Sequence, residues 1–393
     1  MGTITGVLRP CTLCAVLCLC LYAPAIPLTG AAESTQATVT EVTRDDIFVP
    51  HVSTVPANAG QRVGIAVRHI RATQEPTRGA VLFTNPGASS SVATLDVDHK
   101  TYSLPAALAQ QRFDVYLMDH TGVGRSPHPT MDDPCNADPA EQHLLIPNPL
   151  PQPCHPTYPH NLVTLFTEVD EVNAVVDYIL ERTGREKIAL AGWSRALFRL
   201  GLYAAQHPDK VERIAIVGPG YRPDAPNEFP QSKVSYSFQV RTVGEQFENW
   251  ERQRRCEDIV EPGVNEALLK SFRANIDPGA AGWGTPPGEL YRSPTGSQVD
   301  AGWNRTSAAR VRVPTLIVVG EHDPRSERDA PALYGDIGSK EKILVKVQCA
   351  THFVLWERNH QSVHKAFTEF LTSGTVNGRQ GVMTVDRHGT YLQ

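Results

Sequence analysis

One serine stands in a setting that could make its hydroxyl group a nucleophile. The pentapeptide Gly192–Ala196 has Ser194 at its centre and follows the apolar run Ile188–Leu190. A sharp turn between a strand and a helix lifts such a serine above the sheet, and small residues at both ends of the turn let strand and helix approach closely. The usual pattern ends in glycine, and we expect Ala196 to be tolerated because alanine is the next smallest residue. The spacing predicts acyl transfer through a covalent intermediate on Ser194; the alternative is an ordinary turn serine.

A serine hydroxyl is a poor nucleophile until a base accepts its proton, and the base needs an acid to orient it. His352 follows an apolar run by a few residues and is the predicted base, although one of fourteen histidines could also be a structural loop residue. Asp323 lies in the segment Gly320–Pro324, just after the apolar run Leu316–Val319, and is the predicted acid. The alternative is that Asp323 begins a turn before Pro324. Asp224, after the preceding strand, is the rival acid.

Two backbone amides are expected to stabilise the negative oxygen that forms during such a reaction. We predict that one belongs to Arg195 and that the other belongs to Ala88 or Gly87, in the loop that begins at Asn85. The alternative is that Pro86 and Gly87 only form a tight turn. The Arg195 side chain could meet a substrate carboxylate, but we favour the interpretation that it runs along its helix to a partner or to solvent.

Short apolar runs that end in turn residues alternate with stretches of helical periodicity. This alternation predicts an α/β fold with a mostly parallel sheet and helices on both faces, and sites at the carboxyl ends of its strands. It is interrupted between 221 and 304, where we predict an inserted cap. The predicted order is a signal peptide (1–32), the first part of the core (33–220), the cap (221–304), the second part of the core (305–373) and a weakly structured tail (374–393).

The first 32 residues are typical of a secretory signal: Arg9, a short apolar stretch, and an exit of small residues near Ala31. We therefore expect a secreted or periplasmic protein without stable membrane association after cleavage; an uncleaved anchor is the minority interpretation. Four cysteines remain beyond the signal, which suggests two disulfides with three possible connectivities. We favour Cys135–Cys154, which would close a Pro-rich loop, and then Cys256–Cys349 by elimination; one or both pairs could also stay free.

The composition gives no support to several classes of function. The chain has 393 residues, 20% of them charged, with a formal net charge of -5 and no run of like charges. This does not favour binding to nucleic acid or to an anionic membrane. Beyond the signal, the sequence lacks C-x-x-C and H-E-x-x-H, so we expect no metal site and no cofactor. The expected partner is a small-molecule or peptide substrate, and the oligomeric state is open.

With these residues in place, the chain resembles the α/β-hydrolase superfamily from about Phe48 to Thr372. The resemblance rests on the loop Asn85–Gly87, the loop Asp119–Ser126, the serine turn and the positions of Asp323 and His352. It implies the chain order of nucleophile, acid and base found here, and a fold with an inserted cap. The two loops and the exported chain also resemble the prolyl- and tripeptidyl-aminopeptidases, from which Arg195 and Ala196 depart.

Three kinds of function remain open at this point. We favour a serine hydrolase that cleaves a carboxylic ester or lactone, and an acyltransferase with the same residues is possible. An exported aminopeptidase would need carboxylates to bind a free amino terminus, for which Glu248 and Glu251 could serve unless they lie on a solvated helix face. The third is an inactive, hydrolase-fold binding protein, motivated by Arg195 and Ala196.

Overall fold

The computed structural model describes residues 2, 41–76, 78–87, 91–145, 150, 152–227, 236–275, 289–295, 301–325 and 327–392. The predicted signal segment, apart from Gly2, lies outside these residues. The described strands are β1 (Val42–Val52), β2 (Arg62–Ala72), β3 (Gly79–Thr84), β4 (Phe113–Met118), β5 (Ile188–Trp193), β6 (Val211–Val217), β7 (Phe238–Thr242), β8 (Leu290–Pro294), β9 (Thr315–Gly320), β10 (Lys342–Val347) and β11 (Gly381–Val385).

Nine of these strands form one sheet in the order β1-β2-β4-β3-β5-β6-β9-β10-β11. Strands β1, β2 and β4 pair antiparallel with their neighbours in turn, and every pair from β4 to β11 is parallel. Strands β3, β4, β5 and β9 are buried along their whole length. Continuous apolar runs of this kind are what a parallel sheet covered on both faces requires. The predicted α/β architecture with a mostly parallel sheet is therefore confirmed.

Helices cover both faces of the sheet. Helices α1 and α8 share one apolar cluster with one face, and α2, α3 and α7 share a second cluster with the other. Helix α2 begins with a capping box between Thr164 and Thr167 and ends at Gly184, whose φ is 66°. The described helices are α1 (Leu104–Gln110), α2 (Leu165–Thr183), α3 (Ala196–Gln206), α4 (Val243–Gln253), α5 (Val264–Asn275), α6 (Arg305–Ala308), α7 (Asp329–Asp336) and α8 (His360–Ser373).

The chain between β6 and β9, for which we predict a cap, contains α4, α5, α6 and a small antiparallel sheet of β7 and β8. Its aromatic side chains are continuous with the main core. Trp250 of α4 is fully buried, and its ring centroid lies 5.6 Å from that of Trp356. Phe272 of α5 also packs against Trp356. This segment is thus anchored by large apolar contacts to the loop that precedes α8.

Two disulfides join the cysteines in the pairs that the sequence favours. Cys135 and Cys154 are 19 positions apart in the sequence, and their Cα atoms are 5.1 Å apart. Cys256 lies shortly after α4, and its partner Cys349 lies shortly after β10. The second disulfide therefore links the inserted segment directly to the loop that carries His352.

The prediction of a weakly structured tail is wrong for part of the tail. Strand β11 pairs in parallel with β10 along its whole length, from Ile343 opposite Gly381 to Val347 opposite Val385. The side chains of Met383 and Val385 are buried, whereas Val382 is 66% exposed. A strand of five residues with one face in the core has too short an apolar pattern to be recognised before its pairing partner is known.

None of the helices in the described part of the chain has both the length and the apolar composition that a membrane span requires.

Candidate active site

The predicted site residues meet at the carboxyl ends of three parallel strands of the sheet. Ser194 follows β5, Asp323 follows β9, and His352 follows β10. Strand β9 is next to β10, and only β6 separates β9 from β5. The loops that follow β5, β9 and β10 therefore lie close together at the carboxyl edge of the sheet, where their side chains can meet.

Ser194 occupies a strained turn between β5 and α3. Its φ is 60°, and its backbone N–H donates to the carbonyl of Val217 at 2.7 Å. A Cβ atom at Gly192 would lie 2.5 Å from Cβ of Ala196, so glycine is required on the strand side of the turn. The alanine at 196 therefore fits only because residue 192 has no side chain. This tight crossing holds Ser194 half-exposed at the start of the helix.

Ser194, His352 and Asp323 form one chain of hydrogen bonds. Ser194 Oγ lies 3.0 Å from His352 Nε2, and His352 Nδ1 lies 2.8 Å from Asp323 Oδ2. Gly218, at the end of β6, makes room for the pair, since a Cβ atom there would lie 2.8 Å from both Asp323 Oδ2 and His352 Nδ1. Such a chain can move a proton from the serine hydroxyl to the imidazole while the carboxylate stabilises the resulting cation.

The charge on Asp323 is maintained although the side chain is buried. Burial by itself would raise the pKa of Asp323, but His352 and the backbone N–H of Arg325 lower it below its usual value. That N–H donates to Asp323 Oδ1 at 2.9 Å, which leaves Oδ2 for the imidazole. The rival acid, Asp224, is exposed on the segment after β6, and no hydrogen bond joins it to a histidine among the described residues.

The backbone of His352 is held from both sides. Its N–H donates to Gln253 Oε1 of α4 at 3.0 Å, and its carbonyl accepts from Trp193 Nε1 at 2.9 Å. The buried carboxylate of Glu357 accepts from Trp250 Nε1 at 2.9 Å and from the Thr351 N–H at 3.0 Å. Together with the Cys256–Cys349 disulfide, these contacts make helix α4 part of the support of His352.

The residues expected to bind the oxyanion are placed only in part. Arg195 directly follows Ser194 and precedes the first residue of α3, where backbone N–H groups and the helix dipole favour negative charge. Gly87 lines the same cavity as Ser194, and Asn85 fixes its loop by donating from Nδ2 to the Gly87 carbonyl at 2.5 Å. Ala88 lies outside the described residues. The two-amide oxyanion hole therefore stays a prediction.

A buried group of charges lies behind the serine turn. Arg199 Nη1 donates to the carbonyl of Asn85 at 2.8 Å, and Nη2 donates to Glu168 Oε1 at 2.7 Å. Arg195 Nη2 lies 3.6 Å from Glu168 Oε2. Burial alone would raise the pKa of Glu168, but the charges of Arg199 and Arg195 lower it to about 2. The Arg195 side chain thus turns to a partner inside the protein, which is the interpretation the sequence favours.

A second buried pair adjoins this group. His120 Nδ1 lies 2.8 Å from Glu171 Oε2, and burial together with the charge of Arg199 lowers the pKa of His120. Glu168 and Glu171 both come from the inner face of α2. Neither carboxylate is predicted from the sequence as part of the site. The signal was present, because Glu168 lies three residues after Leu165 and four before Val172, on the same helical stripe.

The cavity beside Ser194 has a volume of about 180 Å³. Its described lining contains polar groups that the sequence does not single out. Gln246 and Asn249 of α4 contribute amides, and Arg325 contributes a cation whose side chain is 35% exposed. Glu248 and Glu251 lie on the solvent side of α4, with side chains 75% and 68% exposed and paired with Arg252 and Arg254. They are not among the described residues that line the cavity.

One group of side chains has the composition of a metal site. The possible ligand atoms of Cys256, His322 and Cys349 lie within 4.8 Å of one another. Both sulfur atoms belong to the disulfide, however, and a metal ion needs the thiolate form of a cysteine. In this oxidised form only His322 keeps its capacity to bind a metal.

Comparison with known proteins assigns the fold. The family model described as the alpha/beta hydrolase fold matches residues 85–359, which include the serine turn, Asp323 and His352. No protein with a curated description matches the sequence.

Many solved structures share the fold at low sequence identity. An enol-lactonase from Burkholderia xenovorans LB400 is 16% identical with a TM-score of 0.51, over 82% of this chain and 99% of that chain. A carboxylesterase structure from Nitrososphaera gargenis is 14% identical with a TM-score of 0.47, over 82% and 99%. Est1E from Butyrivibrio proteoclasticus, with bound ferulic acid, is 15% identical with a TM-score of 0.45, over 79% and 94%. At these identities the likeness concerns the fold alone.

Proposed function

Since this chain belongs to the α/β-hydrolase fold family, we propose that it is a serine hydrolase that cleaves a carboxylic ester or lactone through an acyl-enzyme on Ser194. One observation carries the proposal: Ser194, His352 and Asp323 are joined by hydrogen bonds of 3.0 and 2.8 Å at the carboxyl ends of parallel strands of one sheet. A serine in this position has a base for its proton, and the base has a buried carboxylate to orient it.

The reaction would proceed in two halves. Ser194 Oγ attacks the carbonyl carbon while its proton moves to His352 Nε2, and the charge on Asp323 stabilises the imidazolium. The carbonyl oxygen becomes an oxyanion that accepts hydrogen bonds from the amide of Arg195 and from a second amide in the loop at Gly87 and Ala88. His352 then gives its proton to the leaving alcohol, and a water molecule, activated by the same imidazole, releases the acid from Ser194.

Fluorophosphonate labelling tests the nucleophile directly. We expect the wild-type protein to be labelled and Ser194→Ala to remain unlabelled. Ser91→Ala is a suitable control, because the Ser91 hydroxyl donates to the buried carboxylate of Asp119, whereas His352 Nε2 is bonded to Ser194. Labelling of neither wild type nor control, with normal melting curves for both, would overturn the proposal and favour an inactive binding protein.

The class of the scissile bond is tested by a panel of esters, lactones and aminoacyl anilides. The amide-lined cavity and its cation favour an ester or lactone over a peptide with a free amine, because none of the described lining residues offers a carboxylate to a substrate ammonium group. Turnover of anilides that requires a free α-amine would instead support the aminopeptidase alternative. Release of an ester product in the presence of an added alcohol would support acyl transfer.

Export is proposed on the basis of the first 32 residues and is supported by the two disulfides, which persist in oxidising compartments. N-terminal sequencing of the mature protein tests it. A new terminus near Ala31 is expected, and recovery of the intact chain from the cytosol would contradict it. The proposed partner is the substrate, without nucleic acid or stable membrane binding.

A further inference from the structure

The cation in the cavity beside Ser194 belongs to Arg325, two residues beyond Asp323. Gln246 and Asn249 of α4 line the same cavity with their amides. The described residues that line this cavity include no carboxylate, so the guanidinium group of Arg325 can attract an anionic group of a substrate.

Only one of the three guanidinium nitrogens of Arg325, Nη1, has polar contacts with other described side chains. Nη1 lies 3.4 Å from His352 Nδ1 and 3.9 Å from Asp323 Oδ1. The first contact is not a hydrogen bond when Nδ1 carries the proton that it donates to Asp323, because the ring nitrogen then has no free lone pair. The second is a long ion pair. Within the described chain, Nε and Nη2 of Arg325 have no hydrogen-bond partner.

The Nε–Nη2 edge of an arginine is suited to a carboxylate, since its two N–H groups are parallel and match the two oxygens. Another arginine of this protein already binds a carboxylate through this edge. Arg44 donates from Nε and Nη2 to the two oxygens of Asp96, at 2.8 and 2.9 Å. Arg325 lines the cavity that contains Ser194, and no carboxylate of the described residues binds its Nε–Nη2 edge.

We propose that Arg325 binds a carboxylate of the substrate, so that the preferred substrates are esters or lactones that carry a second, ionised carboxyl group close to the scissile bond. This inference rests on the proposed hydrolase function and narrows its substrate class. A short half ester of a dicarboxylic acid has the required chemistry. Its ester group lies at Ser194 while its free carboxylate reaches the Nε–Nη2 edge.

The position of Arg325 gives the carboxylate a second effect. When His352 accepts the proton of Ser194, the imidazolium forms 3.4 Å from the Arg325 cation, and like charges this close oppose each other. A carboxylate bound at Arg325 neutralises that cation at the moment when positive charge develops on His352. An ionised half ester should therefore gain in kcat as well as in binding, whereas a neutral ester should gain in neither.

The test compares two esters of the same size on the full-length mature protein. Para-nitrophenyl glutarate carries the carboxylate, and para-nitrophenyl isoheptanoate replaces it by an isopropyl group. The readout is the ratio of kcat/KM values for the two esters, because this ratio cancels any effect of a variant on reactions that both esters share.

The variants are Arg325→Gln and the matched control Arg328→Gln. Arg328 lies on the same segment, but its side chain is 83% exposed and paired with Asp329. We expect the wild type and the control to prefer the glutarate ester, and Arg325→Gln to lower the ratio by about ten- to a hundred-fold, the usual worth of a charge-assisted pair. Cleavage of both esters with a ratio that is the same in all three proteins would overturn the inference and leave the hydrolase proposal intact.

A binding measurement separates the two proposals if neither ester is cleaved. Calorimetry of Ser194→Ala with para-nitrophenyl glutarate reports the subsite without turnover. An affinity that falls about ten-fold or more on adding Arg325→Gln supports the carboxylate site even if the hydrolase proposal fails. Absence of binding, or equal binding by both proteins, overturns it.

Discussion

Replacing Asp323 with asparagine is expected to leave the fold in place and remove most of the activity. The backbone N–H of Arg325 donates to Asp323 Oδ1 at 2.9 Å, so an asparagine at this position would place its carbonyl oxygen there. Its amide nitrogen would then occupy the place of Oδ2, 2.8 Å from His352 Nδ1. An amide can only donate to that nitrogen, which forces the ring proton onto Nε2.

The size of the loss follows from this change of tautomer. A protonated Nε2 points a hydrogen at Ser194 Oγ, 3.0 Å away, and cannot accept the proton of the hydroxyl group. The variant also lacks the negative charge that stabilises the imidazolium. The same change in the Ser-His-Asp triad of a serine protease costs about ten-thousand-fold, so we expect kcat/KM to fall by about a thousand- to ten-thousand-fold, or about 4 to 5.5 kcal/mol.

The assay is the hydrolysis of a para-nitrophenyl ester, with the rate of fluorophosphonate labelling as a second readout. Asp224→Asn is the matched control, since Asp224 is the exposed rival acid after β6. Melting curves establish that each variant is folded. A folded Asp323→Asn protein that keeps kcat/KM within about ten-fold would refute the reasoning from the hydrogen-bond chain. A large loss in Asp224→Asn alone would transfer the role of the acid to that residue.

Two further perturbations test the supports of the site. Glu168→Gln should lower the free energy of unfolding at pH 7 by about 3 kcal/mol, because the pKa of Glu168 falls from 4.5 to about 2 on folding. This contribution to stability is complete above pH 4.5 and is lost as the pH falls towards 2. A difference between variant and wild type in urea denaturation that is equal at pH 7 and pH 2 would contradict the prediction. Replacing Cys256 and Cys349 with serine should lower the free energy of unfolding by about 2 to 5 kcal/mol. It should also lower kcat, because Cys349 lies in the loop that carries His352. In the matched control, replacing Cys135 and Cys154 should affect stability only, and an equal loss of kcat in both double variants would argue against a role of the second disulfide in positioning His352.

The sequence was sufficient to predict those elements that depend on short, continuous patterns. The run Phe113–Met118, which ends before the turn residues Asp119–Gly122, forms β4. The serine turn was recognisable because its small residues are a local requirement: Gly192 and Ala196 touch across a few residues of chain. Steric constraints between residues that are close in the chain can be recognised from the sequence alone.

Features that depend on the direction of side chains were not predictable in this way. Arg195 and Arg325 both follow closely on a predicted site residue, yet one turns inward to Glu168 and the other lines the cavity. The position of Glu168 on the apolar stripe of α2 can be seen in the sequence, but its partner Arg199, 2.7 Å away, comes from another helix and cannot. The direction of such side chains depends on contacts with distant parts of the chain, just as the formation of strand β11 depends on its pairing with β10.

Strand β11 has a practical consequence for anyone preparing this protein. A truncation after 373, at the end of the last long helix, would look harmless from the sequence. It would strip β10 of its partner from Ile343 to Val347 and expose a row of free backbone N–H and C=O groups. An uncovered edge of this kind recruits strands from other molecules, so the shortened chain should self-associate. An affinity tag is better placed after the last residue than in exchange for the final segment.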